Sequence, residues 1–326
     1  MAEFLTDDPH QAWPTTTFGG VLSFGRAPYT RRASGAGIAV LGIPFDLGTT
    51  NRSGAREGPN AVRRMSALLS ELRNHPFGID PIAERRVIDC GDVHFDVNRV
   101  ETFVPAVETA ARELLLAGTR VLGIGGDHFA SYPLVRAAAH HLGAPLSLVH
   151  FDAHTDTWPD DGERIDHGTQ FRRLVDEGLI DPATSVQIGI RTWNEDTMGF
   201  EVIEASWIHQ QGTAATIERA RRRVGDRPAY VSFDIDCIDP AFAPGTGTPV
   251  IGGLSSAQAL ELWRGICPDL RILGADVVEV APAHDVSDIT ALAAATLVHD
   301  LLCMWDLDRA RDRWSADPSD GGAPRG

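Results

Sequence analysis

The stretch Leu146-Ser147-Leu148-Val149-His150-Phe151-Asp152-Ala153-His154-Thr155-Asp156 is an apolar run of strand length that ends in acids and an imidazole. Its mostly apolar body is what a strand covered on both faces requires, since such strands lose the polar alternation of a half-exposed sheet. The residues that follow it, Asp152, His154 and Asp156, recur at every second position. An extended backbone therefore points all of them to one side. The same construction appears at Ala229 to Phe233, which leads into Asp234-Ile235-Asp236, and at Arg120 to Ile124, which leads into Gly125-Gly126-Asp127-His128.

Further apolar runs lie at Ile38 to Ile43, Val87 to Cys90, Ser185 to Ile190 and Leu273 to Val278. Amphipathic segments separate most of them, at Pro59 to Leu69, Glu101 to Ala117, Tyr132 to His141, Thr213 to Val224, Ser255 to Gly265 and Asp288 to Trp305. Strand and helix in alternation predict an α/β fold around a parallel sheet. Pro59 after Gly58 marks a helix start, and Gly118 a helix cap. No linker or repeat interrupts residues 37–308, which read as one catalytic domain. Residues 1–36, rich in Gly, Thr and Pro, predict an irregular N-terminal arm that wraps the surface or reaches a neighbouring subunit, and residues 309–326 predict a disordered tail.

The 326 residues carry 45 acids against 29 bases, a formal net charge of −16. Such a chain is poorly suited to nucleic acid, which is bound through clustered cations. Every base is arginine, which excludes lysine Schiff-base chemistry and a phosphate-loop lysine. No run of about 18 apolar residues suggests a membrane span, and the first residues lack the basic and apolar parts of a signal peptide. A cytoplasmic location is expected. Cys90, Cys237, Cys267 and Cys303 are far apart and predict reduced, buried thiols.

Parallel α/β sheets place ligands beyond the carboxyl ends of their strands, where the three acid and imidazole segments fall. Four carboxylates and two imidazoles gathered there, Asp152, Asp156, Asp234, Asp236, His128 and His154, would repel one another unless cations held them together. A donor set without thiolate favours two borderline-hard divalent ions, Mn2+ first, with Co2+, Ni2+ or Zn2+ as alternatives. Two such ions balance four aspartates, and a bridging hydroxide tips the centre to a net negative charge. That favours a cationic substrate over a phosphate ester. Cys237 alternates away from the ligands and reads as core.

Glu279 ends the last apolar run and needs a partner, either one of the arginines or the planar guanidinium of a substrate. His167, eleven residues after Asp156, is either a surface-loop histidine or a proton relay to a departing amine.

These segments together resemble the ureohydrolase family, the binuclear manganese enzymes that include arginase and agmatinase. The likeness is carried by Gly-Gly-Asp-His at 125–128, Asp-Ala-His-Thr-Asp at 152–156, His-Gly-Thr at 167–169, Ser-Phe-Asp-Ile-Asp-Cys-Ile-Asp-Pro at 232–240 and Glu-Val-Ala-Pro at 279–282. It is closest to agmatinase at 241–249 and 288–296. The resemblance implies a three-layer α-β-α sandwich with an eight-stranded, mainly parallel sheet, and hydrolysis of a guanidino compound with release of urea. It implies one ion on His128, Asp152, Asp156 and Asp234 and another on Asp152, His154, Asp234 and Asp236, with Asp156 also orienting hydroxide, Glu279 holding the guanidinium and His167 shuttling protons. Asp127 would support the ligands from behind. A homo-oligomer, trimer or hexamer, is the family habit.

Two stretches depart from the agmatinase pattern. His284 stands where tyrosine is usual, and the segment Trp158 to Asp166 is variable. Its Asp160, Asp161, Glu163 and Asp166 against a single Arg164 suit the cationic tail of agmatine, although acids facing water, or Arg164 receiving a substrate carboxylate, would read the same. 4-Guanidinobutyrate, 3-guanidinopropionate and arginine are the alternative substrates. A one-zinc deacetylase on the same fold, which would need a polarising tyrosine, and a metal-dependent binding protein without turnover are the alternatives of a different kind.

Overall fold

A computed structural model describes residues 17–70 and 73–305. Its strands are β1 (Ile38–Ile43), β2 (Val87–Asp92), β3 (Arg120–Gly125), β4 (Ser147–Phe151), β5 (Val186–Ile190), β6 (Glu201–Glu204), β7 (Pro228–Asp234) and β8 (Arg271–Val278). They form one sheet in the order β2-β1-β3-β8-β7-β4-β5-β6, and every pairing in it is parallel. The helices are α1 (Gly58–Ser66), α2 (Pro81–Glu84), α3 (Phe103–Leu116), α4 (Ser131–Leu142), α5 (Gln170–Asp176), α6 (Ala205–Gln211), α7 (Thr213–Val224), α8 (Ser256–Ile266) and α9 (Ile289–Met304).

Two apolar cores, one on each face of the sheet, make the sandwich. Ile38 and Val40 of β1 turn toward the core that contains residues of α1, α6, α7, α8 and α9, whereas Ala39, Leu41 and Ile43 turn toward the core built with α3, α4 and α5. Burial on both sides explains why β1 reads as an apolar run with no polar phase. The helix ends follow ordinary local chemistry. Ser255 and Gln258 form a reciprocal capping box at α8, and Gly118, at φ +78°, closes α3 with its N–H on the Leu115 carbonyl at 2.9 Å.

One element differs from the sequence reading. The edge strand β6 was not expected: it has only four residues, Glu-Val-Ile-Glu, half exposed, so its apolar content is too small to announce it. Of the arm, residues 17–36 fall within the description; Phe24 is fully buried in the core beside Ile82, and its N–H donates to Asp89 Oδ2 at 2.7 Å. The expected disordered tail lies outside the described residues. The four cysteines are free and buried as expected, and among the described residues no helix is long and apolar enough to cross a membrane.

Chain order carries β3 to one side of β8 and β7 and β4 to the other. The four strands that bear the candidate motifs, β3, β8, β7 and β4, are consequently four adjacent strands in the sheet. With neighbouring strands roughly 4.8 Å apart, residues 151 positions apart in sequence, His128 and Glu279, are brought within side-chain reach at one end of the sheet.

Candidate metal centre

β4 ends at Phe151, and Asp152, His154 and Asp156 follow it at the carboxyl edge of the sheet. Asp152 is fully buried, and its Oδ1 accepts the His154 N–H at 2.6 Å, which bends the chain so that both side chains converge. Asp156 sits at φ +51°, a left-handed conformation that costs a non-glycine residue energy and is tolerated where the surroundings over-determine it. Gln170 at the start of α5 fixes it by donating Nε2–H to Asp156 Oδ2 at 2.5 Å.

The second contributor follows β3. A Cβ on Gly126 would lie 1.7 Å from the Phe45 carbonyl oxygen, so only glycine lets the chain pass there and swing His128 into the centre. Asp127 caps the short turn that begins at His128 by accepting the Phe129 N–H, and its other oxygen accepts the Gly48 N–H at 2.7 Å. Burial, with Glu279 nearby, pushes the Asp127 carboxyl up to about 8. After β7, Asp234 accepts the Asp236 N–H at 2.8 Å, and Asp236 accepts the Ala153 N–H at 3.1 Å, which ties the two ligand segments together.

The side chains converge on two points. His128 Nδ1 lies 3.0 Å from Asp152 Oδ2, 2.9 Å from Asp156 Oδ2 and 3.1 Å from Asp234 Oδ2. None of these three contacts has hydrogen-bond geometry, so this buried nitrogen has no hydrogen-bond partner. His128 Nε2 meets Ser232 Oγ at 2.9 Å, and Ser232 in turn donates to Asp276 Oδ1 at 2.6 Å. With the serine proton on Asp276, its oxygen accepts the proton of Nε2, so Nδ1, facing three carboxylates, is the nitrogen that offers a lone pair to a cation once its own proton has left. That is a cation's donor set and not a hydrogen-bond network. His154 Nδ1 makes the second point, 3.2 Å from Asp152 Oδ1 and 3.1 Å from Asp236 Oδ2. Asp152 belongs to both groups.

The electrostatics are those of a centre built around positive charge. Burial, reinforced by Asp236 and Asp152, drives Asp234 well above the carboxylate range, and burial with Asp152 raises Asp236. Burial alone would lower the imidazoles, but the surrounding acids outweigh it: His128 stands well above its ordinary value, and Asp236 and Asp152 push His154 up to about 12. Four acids and two imidazoles meet this test for divalent cations, and they are the residues singled out from sequence.

Glu279 follows β8 at φ +65° and is fully buried. Its Oε1 accepts the His128 backbone N–H at 2.8 Å and lies 2.7 Å from His167 Nδ1. Neither of the two partners is an arginine. Its Oε2 is buried and unpartnered, and a Cβ placed on Gly247 would come within 3.2 Å of it. Space beside an unsatisfied carboxylate oxygen is thus kept open by a glycine. His167 is buried rather than on the surface, and the Thr50 N–H donates to its Nε2 at 3.2 Å, with Thr50 Oγ1 at 2.9 Å. Burial lowers this imidazole, but Glu279 and then Asp127 and Asp156 dominate and raise it to about 9.

Three residues of the centre were missed from sequence. His150 lies within β4, fully buried, with Nε2 2.7 Å from Asp152 Oδ2; Ser232 and Asp276 sit behind His128. Their signal is polarity in the middle of strands that are otherwise apolar. The acids of the Trp158 to Asp166 segment have local partners. Asp160 pairs with Arg173 of α5, Asp161 accepts the Glu163 and Arg164 N–H groups, and Asp166 accepts that of Gly168, so three of the four acids have partners close by. Arg164 is likewise turned back, donating to the Pro159 carbonyl at 3.1 Å. His284 approaches the Ser53 carbonyl at 3.1 Å. The tyrosine that a deacetylase needs is elsewhere: Tyr132 pairs with Glu177, Tyr230 with Asp276, and Tyr29 lies against Gly91.

The sequence profile of the Arginase family matches residues 36–304. The chain belongs to the arginase family. Family members are generally binuclear metal-dependent enzymes, in agreement with the two His/Asp groups. An agmatinase of Chromobacterium violaceum is 53% identical over 289 residues, 88% of this chain and 89% of the relative. The crystal structure of a hypothetical agmatinase from Burkholderia thailandensis superimposes with a TM-score of 0.90 at 53% identity, covering 94% of this chain and 97% of the other. Proclavaminate amidino hydrolase from Streptomyces clavuligerus gives 0.83 at 38% identity, covering 91% and 100%. The arginase-family sheet, parallel throughout here, brings the acids and imidazoles read from sequence together beyond the ends of adjacent strands.

Proposed function

We propose that this enzyme hydrolyses agmatine to putrescine and urea. The observation that carries the reading is the buried, unpartnered Oε2 of Glu279 beside a His/Asp centre: a planar cation with parallel N–H groups satisfies it, and a guanidinium is such a cation. Relatives named agmatinase, about half identical over most of the chain, support the substrate choice.

His128, Asp152, Asp156 and Asp234 would hold one divalent cation, and Asp152, His154, Asp234 and Asp236 the other, with Mn2+ the first candidate. When bound, the pair supplies a nucleophile at neutral pH by lowering the pKa of water. Glu279 orients the guanidinium so that its central carbon faces the centre. Asp156, held by Gln170, orients the attacking hydroxide. His167 carries a proton to the departing amine; Glu279 holds its ring through Nδ1, and Thr50 lies at Nε2. Polyamine formation in the cytoplasm is the role that fits this product.

Urea release tests the reading. The Mn2+-loaded protein should liberate urea from agmatine with a higher kcat/KM than from 4-guanidinobutyrate, 3-guanidinopropionate or arginine. Agmatine binding without urea would make the chain a binding protein, and preference for a guanidino acid would move the substrate assignment to that class.

A further inference from the structure

His150 is the one imidazole at the centre that the reading above leaves without a task, and its neighbours determine where its proton is. The side-chain nitrogen of Gln187 lies 2.6 Å from the Thr155 carbonyl oxygen and 3.1 Å from His150 Nδ1. A carbonyl oxygen can only accept, so the amide nitrogen must be the atom on that side. Turning the amide over would set its oxygen against that carbonyl. One N–H of Gln187 then goes to Thr155, and the other is given to His150 Nδ1. With Nδ1 accepting, the ring carries its proton on Nε2, which lies 2.7 Å from Asp152 Oδ2. A nitrogen that carries a proton is not a metal ligand, although His150 lies close enough to His128, Asp152 and Asp156 to be grouped with them.

From this we infer that His150 is a positioning residue: Gln187 locks its tautomer so that it donates a hydrogen bond to Asp152, the carboxylate common to both donor groups. Gln187 is fully buried, as are His150 and Asp152, so no water competes for these atoms. The ring is wedged against Phe171 of α5, with centroids 4.5 Å apart, which fixes its plane. Oδ2 of Asp152 is the same oxygen that faces His128 Nδ1 at 3.0 Å, whereas Oδ1 faces His154. The donated hydrogen bond thus holds the orientation in which each oxygen addresses its own group. It occupies a lone pair that would otherwise let the carboxylate rotate. Outer partners of this kind typically change metal affinity by roughly 10- to 100-fold.

The inference rests on the reading that Asp152 holds cations, and its test measures binding as well as turnover. Mn2+ would be titrated into the full-length, metal-free protein and its variants by calorimetry, with urea release from agmatine followed in parallel. His150→Phe should bind as many ions as the unaltered chain but with affinity reduced by roughly 10- to 100-fold. His150→Gln, which can still offer an N–H, should recover most of that loss. One ion fewer in both variants, regardless of concentration, would make His150 a ligand and overturn the inference. Equal weakening in both would reduce it to a matter of packing, and so would unchanged affinity in His150→Phe. Should the phenylalanine variant fail to fold, Gln187→Met removes the lock at one remove; it should weaken Mn2+ binding in the same direction, and an unaltered affinity would also overturn the inference. If the unaltered protein binds Mn2+ but makes no urea while these variants behave as stated, the functional reading fails and this one stands.

Discussion

Nδ1 of His167 lies 2.7 Å from Oε1 of Glu279, a contact between residues 112 positions apart that leaves the second oxygen of Glu279 buried and without a partner. A carboxylate in this condition is costly unless a ligand completes it. The two residues form one unit in which the imidazole fixes the acid and the acid holds the ring.

Replacing Glu279 with Gln should separate binding of metal from binding of substrate. The amide oxygen can still accept from the His128 N–H, so metal content should stay near normal. The guanidinium loses its charged partner, and kcat/KM for agmatine should fall by about 2–5 kcal/mol in transition-state terms. Metal analysis alongside kinetics checks this; loss of both ions would show that the residue belongs to the cation site.

Gly247 offers a steric test of the same pocket. Its absent Cβ would lie 3.0 Å from the Arg52 carbonyl oxygen and 3.2 Å from Glu279 Oε2. Gly247→Ala should therefore crowd the guanidinium and raise KM by roughly tenfold, equivalent to about 1–2 kcal/mol of overpacking. Mn2+ affinity should not change. An unaltered KM would place the substrate elsewhere.

Asp234 should be felt at both cation positions. Its Oδ2 faces His128 at 3.1 Å, while Asp236 and Asp152 both raise its proton affinity. Asp234→Asn should lower the occupancy of both ions at limiting Mn2+, read by elemental analysis of the dialysed protein. Two ions bound normally would argue against a shared carboxylate.

The sequence disclosed this cluster because its acids and imidazoles alternate immediately after apolar strands, a pattern in which local spacing and sheet position coincide. Asp152, His154 and Asp156 could be read without knowing what lay beside β4. His150, Ser232 and Asp276 could not, since each stands inside a strand and becomes meaningful only through a neighbour: Gln187 on β5, or β7 set beside β8. The loop acids were legible only in part. Their charge was visible, but Asp161 and Asp166 are consumed by backbone N–H groups a few residues away, and Asp160 by Arg173, and composition does not report such local partners. β6 was too short and too polar to be recognised before its partner β5 was in place.

Proton displacement gives the last prediction. In the metal-free fold His154 is raised to about 12 and His128 well above its ordinary value, in both cases because acids outweigh burial, so both rings carry the extra proton at neutral pH. A cation can take Nδ1 of either ring only by expelling that proton. Affinity for Mn2+ must therefore rise with pH, and binding must release protons. Stability of the metal-free chain runs the other way. A histidine whose folded pKa exceeds its unfolded value of about 6.5 contributes its full stabilisation below that pH and loses it as pH climbs toward the folded value. The difference in Tm between metal-loaded and metal-free protein should accordingly widen from about pH 6 to about pH 8.5, with proton release in calorimetry carried out in buffers of different ionisation enthalpy. A Tm difference that narrowed over this interval, with no protons released on binding, would mean that these imidazoles do not meet the cations.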